Sequence, residues 1–162
     1  MFVYAGFAKA LVRSFKFEGK RAAAVELAER MELLHVTPQT IVVHIPTVPA
    51  RVRERGYDHA LLLAKAVAAR HGLVQMTLLA RATAARQVGA ARRDRLANMA
   101  GAFRVVSTVP RNAHILLVDD VVTTGATLGE AAAALRAAGA QRVDALTFAR
   151  TPAPTTPSAQ QS

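Results

Sequence analysis

The chain is 162 residues long, enough for one domain with a sizeable core, and its 52% hydrophobic and 20% charged residues are those of a globular protein. It has no cysteine, which excludes disulfides and thiolate metal sites, and no uninterrupted apolar run approaching the roughly 18 residues of a membrane span. The net charge is +10, and nearly all of it falls between Arg51 and Arg111, where eleven arginines and Lys65 are offset only by Glu54, Asp58 and Asp94; such a concentration attracts phosphates, pyrophosphate or nucleic acid.

Two helices are predicted first, Val3 to Phe17 and Arg21 to Leu34. Leu11, Val12 and Phe15 share a face of the first, and Val25, Ala28 and Met31 share one of the second. Lys9, Arg13 and Lys16 recur at helical spacing through the first stretch, whereas a signal peptide holds its charges ahead of the apolar run. Thr40 to Ile45 is β-branched and apolar, a buried strand, and Pro46-Thr47-Val48-Pro49 is a loop at its end. A helix follows from Tyr57 to His71, closed by Gly72. The arginine-rich stretch Leu78 to Gly101 has weak periodicity and reads as a long mobile loop running into a short helix around Arg92 to Met99. Phe103 to Val106 is a short strand, Pro110 to Asn112 a turn, and Ile115 to Val118 a second buried strand that ends in Asp119-Asp120. Thr127 to Ala138 is a helix stopped by Gly139, and Val143 to Phe148 a last strand. Residues 151–162, rich in Pro, Ser, Thr and Gln, are expected to be a disordered tail to a single domain spanning 1–150. Strands alternating with helices imply an α/β fold on a mainly parallel sheet.

The stretch from Ile115 to Thr127 carries the chemistry. A buried strand runs into two carboxylates, Asp119 and Asp120, then into Thr123, Thr124, Gly125, Ala126 and Thr127, where a helix begins. Ligands of open α/β sheets bind at the carboxyl ends of strands, and a helix N-terminus offers unpaired N–H groups to a phosphate. Carboxylates repel phosphate but accept strongly from the vicinal hydroxyls of a ribose, so the two halves together describe a ribose 5-phosphate site. Thr127-Leu128-Gly129-Glu130 also matches a capping box, which accounts for Thr127 and Glu130 but not for Asp119, Asp120, Thr123 and Thr124. The nucleotide-binding patterns G-x-x-x-x-G-K-[ST] and G-x-G-x-x-G are absent. His44 is expected to be a packed strand residue and His35, His71 and His114 surface or turn residues; none has metal-ligand spacing. Arg51, Arg53 and Arg55 either clamp an anion or begin a solvated helix.

The Asp-Asp-x-x-Thr-Thr-Gly-x-Thr stretch resembles the phosphoribosyl pyrophosphate signature of type I phosphoribosyltransferases. Pro46-Thr47-Val48-Pro49, Arg55-Gly56-Tyr57, Leu79-Ala80-Arg81, Gln87, and Arg95 with Asn98, Gly101 and Phe103 are similar to the ComF/GntX branch, the competence-associated amidophosphoribosyltransferase-like family. The chain departs from that pattern in lacking a cysteine-rich zinc module and in reading Asp58-His59 where the family tends to read Asn-Gln.

The resemblance implies a type I phosphoribosyltransferase-like parallel sheet flanked by helices, with a small hood made by the N-terminal helices and part of the flexible loop. It implies phosphoribosyl pyrophosphate as ligand, with Mg²⁺ bridging its pyrophosphate and ribose oxygens. Thr47, Val48 and Arg55 then contact pyrophosphate, Thr123 to Thr127 anchor the 5-phosphate, and Asp119 and Asp120 orient the ribose. Leu78 to Gly101 matches the family's catalytic loop, in which Arg81, with Arg86 and Gln87, reaches the leaving group; Asp119, Asp120 and Arg81 are the catalytic candidates. Three functions stay open: a transferase acting on a nitrogen acceptor, a DNA-uptake accessory protein binding single-stranded DNA through its basic segment, although aromatics for stacking are few there, essentially Tyr57 and Phe103, and a non-catalytic sugar-phosphate sensor. The lack of cysteine suits a cytoplasmic protein, and a homodimer is compatible with every reading.

Overall fold

A computed structural model describes residues 1–17, 21–33, 36–82 and 101–152. Its elements, in order, are β1 (Phe2–Val3), α1 (Gly6–Phe17), α2 (Arg21–Glu29), β2 (Ile41–His44), α3 (Pro49–Arg55), α4 (His59–His71), β3 (Val74–Gln75), β4 (Leu79–Arg81), β5 (Phe103–Val105), β6 (His114–Val122), α5 (Ala126–Ala137) and β7 (Arg142–Arg150). Five strands form a sheet in the order β1-β7-β6-β2-β3, and every pairing in it is parallel. Strands β4 and β5 form a separate antiparallel ribbon.

Strand alternation divides the core into two layers. On one face Val42, Leu116, Val118 and Phe148 pack against α1, α2 and α4 through Phe15, Leu27, Leu63 and Val67. On the other, Val43, Ile115 and Leu117 pack against Leu135 of α5 and against Leu79 and Phe103 of the ribbon. Each such large side chain withdrawn from water contributes about 1.5–3 kcal/mol. The N-terminal helices assigned to a hood are thus continuous with the main core, sharing one layer with α4.

Several expectations change on the structure. The first predicted helix begins at Gly6, and Phe2–Val3 before it is an edge strand paired to Ala149–Arg150 of β7. The second stops at Glu29 rather than Leu34. The Pro46–Pro49 loop is shorter than expected because Pro49 starts α3, where a helix's first position has no N–H partner to lose. Arg51, Arg53 and Arg55 lie on α3, which buries no residue. Leu79–Arg81, expected in the mobile loop, is a strand whose first residue is fully buried. β6 runs to Val122, well past Val118, because its ladder with β7 continues from Asp119↔Thr147 to Val122↔Arg150. His114, read as a surface or turn residue, opens β6 with its ring between Thr40 Oγ1 (3.1 Å) and Asp144 Oδ2 (2.8 Å). The short helix expected around Arg92 to Met99 and most of the expected tail lie outside the described residues.

Candidate active site

The ladder between β2 and β6 ends at His44↔Val118, with Ile45 N–H donating to the Val118 carbonyl at 3.1 Å. Beyond it β2 turns away into Pro46 and Thr47 while β6 continues into Asp119. The chain leaves β2 for β3 at one edge and returns to β6 on the other side of β2. That makes the β2/β6 crevice the switch point of the sheet, where open α/β folds hold their ligands. Thr47, Asp119 and Asp120 therefore converge from distant parts of the sequence.

Alternation sends the two carboxylates to opposite faces. Asp120 follows Leu116 and Val118 toward α1 and α4, is 3% exposed, and pairs with Lys16 Nζ at 2.7 Å. The His59 Nε2 atom lies 3.6 Å from the same carboxylate oxygen. Asp119 follows Ile115 and Leu117, remains half-buried, and accepts from the Asp120 N–H through Oδ1 at 2.8 Å. Burial, reinforced by the neighbouring charge of Asp120, pushes the Asp119 carboxyl up to about 7, against the weaker pull of Lys16 and Arg81.

Arg81 borders this site from β4. Its Nε donates to the Pro46 carbonyl at 2.9 Å and its guanidinium lies 4.9 Å over the Phe103 ring. It is a fixed strand residue rather than part of a mobile loop, and it ties the ribbon to the loop after β2. Arg86 and Gln87 lie outside the described residues.

The Thr123-Thr124-Gly125 turn links β6 to α5. Gly125 is the N-cap with φ of +82°, a left-handed conformation that suits glycine, and it has no side chain of its own with which to cap the helix. The expected capping box does not form: Thr127 lies inside the first turn, and Glu130 Oε2 instead accepts from the Ala102 N–H at 3.2 Å. Thr124 Oγ1 accepts from Ala126 N–H at 3.3 Å. Thr123, Thr124, Ala126 and Thr127 are exposed, so the helix start meets solvent shortly after Asp119 in the chain, with a side-chain bond shown only to its first N–H.

Across the crevice, Thr47 is held by Asp58. Its N–H donates to Asp58 Oδ2 (3.2 Å) and its hydroxyl to Oδ1 (2.7 Å), while Oδ1 also caps α4 by accepting from Ala60 and Leu61 N–H. Val48 is the N-cap of α3 and 39% exposed. Arg55 Nη1 meets His59 Nδ1 at 3.2 Å. Sequence reading missed Lys16, Asp58 and His59 as site neighbours. Lys16 is far from Asp120 in the chain, so no local spacing links them, whereas a serviceable N-cap at Asp58 was legible just ahead of the α4 apolar face.

The phosphoribosyl transferase domain family matches residues 60–161, more than half of the chain. The chain belongs to that family. Among solved structures it is similar to the allosteric regulatory enzyme of purine biosynthesis (TM-score 0.58, 15% identity, 83% of this chain and 29% of that one). It is also similar to glutamine phosphoribosylpyrophosphate amidotransferase from B. subtilis (TM-score 0.52, 18% identity, 83% and 26%) and to orotate phosphoribosyltransferase from Aeropyrum pernix (TM-score 0.52, 15% identity, 83% and 75%). The chain thus spans less than a third of the length of the first two. At these identities the likeness is one of fold, a parallel sheet flanked by helices. No curated protein matches the chain in sequence. Among the described residues no helix is long and apolar enough to cross a membrane.

Proposed function

We propose that this chain binds phosphoribosyl pyrophosphate in the β2/β6 crevice and transfers its phosphoribosyl group to a nitrogen acceptor, as a ComF/GntX-like member of its family. The observation that carries the proposal is the exposed start of α5 after Gly125, whose N-cap has no side chain, following the half-buried Asp119 at the switch point of the sheet. The 5-phosphate accepts from amides and hydroxyls of Thr123 to Thr127. Asp119, once ionised, accepts from the ribose hydroxyls; Asp120, held by Lys16, sets the backbone from which Asp119 projects. The pyrophosphate lies toward Thr47, Val48 and Arg55, with Arg81 at the other side of the Pro46 carbonyl.

In the transfer the C1–O bond breaks, the pyrophosphate departs with the electron pair, and the acceptor nitrogen attacks C1 and gives up its proton to the solvent. Arginines at the crevice offset the charge growing on the leaving group, and the Asp119 carboxylate offsets the positive charge growing at C1. Among the described residues no three carboxylates or histidines cluster as a metal cage. Mg²⁺ therefore fits this site as an ion carried on the pyrophosphate, which it would make a better leaving group, and no protein ligand is assigned to it. A cytoplasmic location belongs to the same reading.

The DNA-binding alternative has little on which to stack bases: Phe103 is 7% exposed beneath Arg81, and Tyr57 is half-buried with its hydroxyl bound to α1 carbonyls. Titration calorimetry with Mg²⁺ and phosphoribosyl pyrophosphate tests the proposal. Wild type should bind, and Asp119→Asn should bind at least tenfold more weakly with an unchanged far-ultraviolet spectrum. Wild-type binding that survives Asp119→Asn intact refutes the ribose assignment.

A further inference from the structure

Behind the crevice a line of buried polar groups joins elements that the phosphate anchor does not need. Lys16 of α1 meets Asp120 of β6 at 2.7 Å. His59 of α4, 6% exposed with its ring edge-on to Phe15, lies between Asp120 (Nε2, 3.6 Å) and Arg55 of α3 (Nδ1, 3.2 Å). Thr47 Oγ1 is 3.3 Å from the same Nδ1, and Asp58 holds Thr47 and lies 3.9 Å from His44.

Only one arrangement of protons satisfies these contacts. A guanidinium has donors and no acceptor, so Nδ1 must offer its lone pair to Arg55. The Thr47 hydroxyl has one proton, and the 2.7 Å contact to Asp58 takes it, so Thr47 does not compete for that lone pair. The single imidazole proton then sits on Nε2, facing Asp120. Burial favours the uncharged ring, outweighing the attraction of Asp120; the nearby cations Lys16 and Arg55 favour it too, and Asp58 opposes.

We infer that His59 is a positioning residue which, as the neutral Nε2–H imidazole, holds the Arg55 guanidinium beside the loop after β2 while facing the Lys16-bound Asp120. The ring thereby fixes the pyrophosphate end of the crevice relative to the ribose end. This role rests on the phosphoribosyl pyrophosphate reading above. Its ligand consequence is specific: His59 matters to the pyrophosphate arm, where Arg55 acts, and little to the 5-phosphate arm at Thr123 to Thr127.

The test compares ribose 5-phosphate with phosphoribosyl pyrophosphate, each with Mg²⁺, on wild type, His59→Leu and His59→Gln. Leucine removes both ring nitrogens. Glutamine presents an amide oxygen and nitrogen about as far apart as the two ring nitrogens, so it accepts from Arg55 and donates toward Asp120. The preference for phosphoribosyl pyrophosphate over ribose 5-phosphate should fall about tenfold in His59→Leu and return to within about twofold of wild type in His59→Gln, the size expected of one charge-assisted hydrogen bond. Nitrogen-15 spectra of the wild type, which need no ligand, should show Nε2 protonated and Nδ1 bare. A protonated Nδ1, or an unchanged preference in His59→Leu, overturns the inference while leaving the ligand assignment standing. Equal loss of both ligands in His59→Leu marks a fold defect and also overturns it. A wild type that binds neither ligand overturns the underlying reading, and the positioning role with it.

Discussion

An acid that keeps its proton up to about pH 7 opposes folding once it is ionised. The folded Asp119 carboxyl binds its proton more tightly than the unfolded chain, whose value is near 3.8, so raising the pH from about 4 to about 7 strips that proton and removes stability. Above that window the loss is constant. Ribose hydroxyls need the ionised form as acceptor, so affinity for phosphoribosyl pyrophosphate should rise through the same upper range in which stability falls. Asp119→Asn separates the two effects. Thermal melts at pH 8 should show the variant more stable by about 1–2 kcal/mol, with a flatter profile between pH 4 and 7, while its binding is weakened. A variant less stable than wild type at pH 8 contradicts this account. The carboxylates were legible as a pair at a strand's carboxyl end, but their divergence was not. It follows from β6 continuing past Val118, and nothing in Asp-Asp-Val-Val resembles a buried strand until β7 is beside it.

The C-terminal end of α1 is tied down by Tyr57. Its hydroxyl donates to the Phe15 carbonyl at 2.7 Å and lies 3.2 Å from that of Lys16, supplying a donor to carbonyls that a helix end leaves unpaired. The same turn carries the Lys16 ammonium that reaches Asp120. Tyr57→Phe keeps the ring and loses the tie. Urea unfolding should report a loss of about 0.5–1.5 kcal/mol with an unchanged slope, and the loosened Lys16 should weaken phosphoribosyl pyrophosphate binding as well. Unchanged stability would show the hydroxyl contributes nothing. Elements with one apolar face were readable in advance: α1, α4, α5 and the inner part of β6 each bury such a face in the two layers, though Phe7 of α1 stays exposed. Those missed lack such a signal. α3 buries nothing, while β1 and β3 are two residues each and exist through their partners in the sheet.

The charge of +10 acts on the molecule as a whole. Neutral acceptors hold two of its arginines in place without cancelling their charge, Arg81 on the Pro46 carbonyl and Arg55 on His59. Single-stranded DNA binding, measured across a salt series, should be weak and disappear at physiological ionic strength, because nonspecific phosphate contacts depend steeply on salt. Tight binding that survives there would favour the competence reading. The α/β class and the parallel sheet were readable from alternating strands and helices; the strand order was not, since pairing partners lie far apart in the chain. That separation is greatest at the sheet's edge, where Phe2 pairs with Ala149 and its ring lies 5.0 Å from that of Phe148. The strand partners of residues 2 and 3, at 149 and 150, are made more than a hundred residues after them. During synthesis, then, β1 must wait unpaired for β7. Closing so long a loop is slow relative to local helix formation, so docking of β1 onto β7 belongs among the last events of folding.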